Sequence, residues 1–220
     1  MASDMSTTLQ VSELFTSIQG ESTYAGQPCG FIRLAGCNLR CVWCDTAYAF
    51  EGGNTMSLEK ILAAVKSWRL PLVEITGGEP LCQPGCIPLT EALLAAGYTT
   101  LLETNGSLPI DILPQNTARI VDIKCPGSGM SDRMHWPNMA ALTKQDEVKF
   151  VLKDRRDYNW ALAILNRYDL ATRCKAVQLS PVSENLEPAE LAAWMLEDRS
   201  AARLHLQLHK IIWAEDMRGV

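Results

Sequence analysis

The chain has 220 residues, 47% hydrophobic and 20% charged, with 20 Lys and Arg against 25 Asp and Glu for a formal charge of −5. These are ordinary globular values, and the length suits one domain spanning residues 1–220 around a single core. With no basic run, a nucleic-acid surface is not expected, and with no apolar run near the roughly 18 residues of a membrane span, neither is a membrane. The start MASDMSTTLQ lacks an apolar stretch behind a basic one, so a cytoplasmic protein is expected. Eight cysteines in that setting point to metal rather than to a disulfide framework.

In chain order, β-rich runs appear at Phe31–Leu34, Leu72–Thr76, Thr99–Glu103, Arg119–Ile123, Glu147–Val151, Ala176–Ser180 and Arg203–Leu208. Between them, Leu58, Ile61, Leu62, Val65 and Trp68 recur at helical spacing. Ala161, Ile164, Leu165 and Tyr168 do the same behind an expected cap at Asp157, and Pro188 suits the first turn of a helix carrying Leu191, Trp194 and Met195. Strand–helix alternation of this kind reads as βα units around a parallel sheet.

Alternate strand residues share a face, and one face here is polar. Glu74 pairs with Thr76, Asp122 with Lys124, and Gln178 with Ser180, while Arg33 and Lys149 each add a cation. On the last run His205, Gln207 and His209 take one side, and Leu204, Leu206 and Leu208 the other. Solvent-facing edges explain any single strand. For six strands together, a polar lumen is more economical. The expected fold is α/β, a partial (β/α) barrel of about six parallel strands that opens to admit a cofactor and a substrate.

The segment GCNLRCVWCDT spaces Cys37, Cys41 and Cys44 as C-x3-C-x2-C. Three thiolates on one loop can hold three irons of a cubane and leave the fourth open, whereas four cysteines commonly close an electron-transfer cluster. A zinc site is the alternative, but it needs a fourth ligand, and Cys82 and Cys86 are remote.

An aromatic, Trp43, precedes the last cysteine, and the next strand ends in ITGGEP. The cysteine spacing, this aromatic and the Gly77, Gly78, Glu79, Pro80 run resemble the radical S-adenosylmethionine superfamily. The resemblance implies a 4Fe–4S cluster, S-adenosylmethionine on its open iron, and a carboxylate at Glu79 suited to the cofactor's ammonium. ELFTSIQGES, FIRLAG, DIKCPGSGM, DEVKFVLKDRRDY, LSPVS and QLHKIIWAEDMRGV follow in order. Together they resemble the 7-carboxy-7-deazaguanine synthase family and cover most of the chain.

That family resemblance implies a carbon–nitrogen lyase of queuosine-type deazapurine biosynthesis. It converts 6-carboxy-5,6,7,8-tetrahydropterin to 7-carboxy-7-deazaguanine with ring contraction and loss of ammonia. It implies Mg2+, a homodimer and an electron donor such as flavodoxin or ferredoxin. The substrate residues it places are Ile18, Gln19, Gly20, Glu21, Arg33, Thr76, Gln207, His209 and the terminal Val220. Thr46 matches the Mg2+ ligand, in keeping with that ion's preference for hard oxygen donors. Trp43, Asp45, Gly78, Glu79, Asp122, Ile123, Lys124, Ser180, Pro181, Val182 and Ser183 match cofactor-binding stretches. Cys29, Cys82, Cys86, Cys125 and Cys174 are left as small apolar residues. An activase that installs a glycyl radical on a partner and a non-catalytic zinc module are the rival readings. Asp122, Glu103 and His209 stand unranked as the groups that handle protons during ammonia loss.

Overall fold

The computed structural model describes residues 7–214 and 217–219, so Val220 lies outside the described residues. β1 (Thr8–Ile18) and β2 (Pro28–Leu34) form an antiparallel hairpin, and β3 (Asn54–Ser57) pairs with the outer side of β1. Strands and helices then alternate: α1 (Leu58–Trp68), β4 (Leu72–Gly77), α2 (Cys86–Ala95), β5 (Thr99–Thr104), β6 (Ala118–Asp122), α3 (Asn138–Ala141), β7 (Glu147–Leu152), α4 (Arg155–Arg167), α5 (Leu170–Arg173), β8 (Ala176–Pro181), α6 (Pro188–Glu197), β9 (Arg203–Leu204) and α7 (His209–Ile212). One open sheet contains all nine strands in the order β3-β1-β2-β4-β5-β6-β7-β8-β9, parallel from β2 to β9. The partial barrel is present with seven parallel strands, the last only two residues long, and with an antiparallel edge that the periodicity did not anticipate.

The sheet separates two environments. Outward residues such as Ile32, Ile75, Leu102 and Phe150 pack under the helices with Ile61, Val65, Leu89 and Ile164 in one buried core. Each such side chain contributes roughly 1.5–3 kcal/mol through burial. On the inward face, Cys29, Phe31, Leu72, Leu101 and Ile120 form a separate apolar plug at the N-terminal end of the parallel strands. One register step further along come Glu74, Glu103, Asp122 and Lys149. The expected polar lumen is therefore a layer resting on an apolar floor.

Local chemistry sets the element ends. The Ser57 hydroxyl accepts from Lys60 N at 3.3 Å and starts α1, and Pro188 occupies the first turn of α6. Asp154, not Asp157, caps α4, accepting from Arg156 N at 2.9 Å and Asp157 N at 3.1 Å. Asp157 lies one turn too late and instead accepts from Gly127 N at 2.8 Å and Lys153 N at 3.1 Å.

The expected last strand, Arg203–Leu208, is also cut short. His205 N still bonds Leu179 O at 2.9 Å, but β9 ends at Leu204 and His209 opens α7. The alternation of His205, Gln207 and His209 along one strand face therefore does not exist.

Candidate active site

The loop after β2 carries Cys37, Cys41 and Cys44, all free and half-buried, over the C-terminal ends of the parallel strands. Backbone bonds fix it on three sides. Gly36 N donates to Ala49 O at 2.8 Å, Glu79 N to Gly36 O at 2.7 Å, and Val42 N to Ser128 O at 3.1 Å. Arg40 closes the loop on itself, donating to the carbonyls of Cys37 and Leu39 at 2.8 Å with its guanidinium 4.3 Å above the Phe50 ring. Gly78 is essential to this approach, because a Cβ there would stand 2.3 Å from Gly36 O and 2.8 Å from Cys37 Cβ.

The donor set suits an iron–sulfur cluster. Cys37 Sγ accepts from Leu39 N at 3.4 Å and faces the Asn105 amide at 3.8 Å, contacts of the kind that tune cluster sulfurs. Burial pushes the Cys41 and Cys44 thiols up, a penalty that a bound cation removes. Among the described residues no three His, Cys, Asp or Glu side chains converge on a single ion; a cubane asks each cysteine to meet a different iron.

Beneath the loop is a cavity of about 710 Å3 that runs from the three cysteines down to the β1–β2 turn. Its walls hold a chain of charges. Lys149 Nζ lies 2.5 Å from Glu21 and from Glu103 and 3.6 Å from Asp122, and Lys124 Nζ lies 2.7 Å from Asp122. Burial alone would discharge Lys149, but Glu103, Glu21 and Asp122 hold it well above the usual lysine range. Burial likewise works against the Glu21 carboxylate, yet Lys149 brings its pKa down to about 2.

The two ends of the chain meet in this cavity. Gln207 donates to Glu21 at 2.6 Å, Leu208 N donates to Gly20 O at 2.9 Å, and Lys210 Nζ lies 2.9 Å from Asp45. A Cβ on Gly20 would fall 2.4 Å from His209 Nδ1, so glycine is what lets α7 sit on the turn. On the opposite wall, Arg33 Nε donates to Glu13 at 2.9 Å, and Tyr48 donates to the same carboxylate at 2.8 Å.

Of the residues expected at the site, Ile18, Gln19, Gly20, Glu21, Arg33, Cys37, Cys41, Trp43, Cys44, Asp45, Thr46, Thr76, Gly78, Asp122, Lys124, Val182, Ser183, Gln207 and His209 line this cavity. Four do not. Glu79 is fully buried and turned inward, accepting from Leu81 N at 3.0 Å, Asn105 N at 2.7 Å and the Thr104 hydroxyl at 2.9 Å. Its carboxylate braces the GGEP turn and the end of β5. Ile123 packs into the outer core, and Ser180 and Pro181 are buried in β8 beside the lumen. Phe15, Tyr48 and Asn105 line the cavity without having been anticipated. Asn105 follows a parallel strand at its C-terminal end, the position where barrel enzymes place functional side chains, and that rule would have found it.

An open parallel barrel with three cysteines at the mouth of a polar lumen fits a radical S-adenosylmethionine enzyme, a class that implies a 4Fe–4S cluster and S-adenosylmethionine. The Radical SAM superfamily matches residues 31–127. The 7-carboxy-7-deazaguanine synthase of Koribacter versatilis is 43% identical, over 96% of this chain and 100% of its own length. That of Chlorobaculum tepidum is 44% identical over 96% and 97%. The crystal structure of QueE from Escherichia coli superposes with a TM-score of 0.74 at 26% identity, covering 91% of this chain and 94% of that one. The chain belongs to the 7-carboxy-7-deazaguanine synthase family.

Proposed function

We propose that the chain converts 6-carboxy-5,6,7,8-tetrahydropterin to 7-carboxy-7-deazaguanine, with ring contraction and loss of ammonia, on the route to queuosine-type deazapurines. The observation that carries this reading is the union, in one cavity, of the cysteine loop with Arg33, Gln19, Gln207 and His209. When bound, the cluster and S-adenosylmethionine supply a 5′-deoxyadenosyl radical able to take hydrogen from an unactivated C–H bond.

The chain's own residues bind and orient. Cys37, Cys41 and Cys44 hold the cluster; Trp43, Asp45, Gly78, Val182 and Ser183 border the cofactor; Asp122 and Lys124 sit below them. Among the described residues Arg33 is hydrogen-bonded only through Nε, so its outer nitrogens suit the substrate carboxylate. Gln19 and Gln207, which both donate and accept, suit the heterocycle edge. Holding reactants in a productive geometry supplies much of the rate gain in such a site.

Mg2+ belongs at Thr46, whose hydroxyl donates to Asp45 at 2.8 Å and brings two hard oxygen donors together. Thr46→Ala is expected to weaken turnover and leave cluster assembly intact, and full activity without Mg2+ would remove that ion from the reaction. A homodimer, a flavodoxin or ferredoxin as electron donor, a cytoplasmic location and a substrate contact from the Val220 carboxylate complete the proposal. Among the described residues no helix is long and apolar enough to cross a membrane.

The test is anaerobically reconstituted protein with reductant, S-adenosylmethionine, Mg2+ and 6-carboxytetrahydropterin, read by mass spectrometry. 7-Carboxy-7-deazaguanine is expected. Formation of 5′-deoxyadenosine without that product would keep the enzyme class and overturn the substrate.

A further inference from the structure

We propose that Glu74 donates the proton that lets the substrate nitrogen leave as ammonia, with Glu103 as the base that completes the elimination. This rests on the reaction proposed above. Glu74 stands between Phe31 on β2 and Leu101 on β5, both members of the apolar plug. Its carboxyl therefore rests on an apolar floor, only 3% exposed, yet it borders the cavity. Its one side-chain hydrogen-bond partner among the described residues is the Gln19 amide, which donates to Oε2.

The cations nearby are already committed. Lys149 serves Glu21, Glu103 and Asp122, Lys124 serves Asp122, and Arg33 serves Glu13. Three lumen carboxylates thus face two lysines, and a fourth negative charge at Glu74 would have no counter-ion. The groups that face it are Cys29 from β2, Glu103 from β5, Lys149 from β7, and Gln19 and Glu21 from the hairpin turn. Burial raises its pKa first, then the charges of Glu103 and Glu21, with Lys149 opposing. Burial and these like charges therefore favour the protonated form of Glu74, which presents an O–H to the cavity.

The other candidates are placed differently. Asp122 and Glu103 are ion-paired to lysines, and burial lowers His209, which favours its neutral ring. An acid whose surroundings favour its proton, beside one ion-paired to a lysine, forms a ready acid–base pair.

After ring contraction the expelled nitrogen is an exocyclic –NH2 bonded to one carbon; it does not leave as a bare anion, and a positioned acid is the usual remedy. In the elimination the C–N bond breaks with its electron pair going to nitrogen, which takes the Glu74 proton. The neighbouring carbon gives its proton to the Glu103 carboxylate, and that C–H pair becomes the ring double bond. No oxidation or reduction occurs. Passage of the proton from Glu103 back to Glu74 restores the pair.

The test compares wild type and Glu74→Gln, a neutral isostere, in the reconstituted full chain. Infrared difference spectra near neutral pH should show a protonated carboxyl band that the variant lacks. Deuterium transfer from labelled pterin to the cofactor should persist, while ammonia release falls about 100-fold or more. An unchanged band, near-normal ammonia release, or loss of deuterium transfer together with ammonia release would each overturn the role. If the variant does not fold, the wild-type pH profile decides. Ammonia release should decline as pH rises through the Glu74 ionisation while deuterium transfer does not, and the absence of that decline refutes the proposal. A wild type that releases no ammonia from the pterin overturns the reaction itself, whereas the infrared band reports on Glu74 alone.

Discussion

Glu21 and Glu74 share one lumen but respond to pH in opposite ways, because only Glu21 reaches a lysine. The folded-state pKa of Glu21 is about 2, below its ordinary 4.5. Its ion pair therefore stabilises the fold above that ordinary value and is lost as pH falls toward the folded one. Glu74 is raised, so above 4.5 the unfolded chain releases a proton that the folded chain retains, which favours unfolding. Glu74→Gln should accordingly raise Tm near neutral pH and change it little in mild acid; Glu21→Gln should lower Tm near neutral pH, with the gap narrowing in acid. Melting curves across pH check both signs. Gly78 offers a steric prediction. A methyl group there meets backbone at Gly36 rather than a flexible side chain, so Gly78→Ala should cost roughly 1–3 kcal/mol and reduce iron incorporation on reconstitution.

At the scale of elements, two aspartates three residues apart on α4 do different work. Asp154 is an exposed cap, so Asp154→Ala should cost about 1 kcal/mol with turnover unchanged. Asp157 is buried and ties α4 to the turn at Gly127, whose backbone stands against Trp43 of the cysteine loop. Asp157→Ala should destabilise by about 2 kcal/mol, since two partly buried N–H groups lose their carboxylate acceptor, and should lower cluster occupancy as well. Chemical denaturation and iron content separate the two outcomes. The same contrast explains what the sequence concealed: both residues satisfy the pattern of an N-cap, and only the chain path decides which one is free to fill it. β1 was hidden differently. A bulge between Val11 and Glu13 shifts its register, so Leu9 and Val11 face the outer core while Phe15 faces the lumen. A one-residue slip reverses strand parity, and no single period survives along the segment. The parallel strands β4 to β8 were legible because no bulge interrupts their ladders, so residues alternate between the two faces along each.

At the scale of the molecule, the cysteine loop and Arg33 were readable because they sit in one contiguous run, and the family resemblance placed Gln207 and His209. The lumen's charge pairing was not readable, since Glu21, Glu103, Asp122 and Lys149 come from four separate segments and only the assembled open sheet brings them together. Glu79 shows the converse: a motif residue whose chemistry suits a ligand also braces the turn that presents it. The C-terminal segment yields the last prediction. Beyond His205 it adds no strand among the described residues, and Ile211 and Ile212 are 65% and 48% exposed, so the described part contributes little to the core. Its ties are polar: Gln207 to Glu21, Leu208 to Gly20, and Lys210 to Asp45. We propose that the nine-stranded sheet unfolds as one unit and that residues 207–220 complete the site without completing the fold. A chain ending at Leu206 should then melt in a single transition and still incorporate iron. It should lose turnover by about 100-fold or more, as expected when substrate-positioning groups are removed. Loss of the cooperative melt would make the segment part of the fold, and retained turnover would remove Gln207 and His209 from the substrate site.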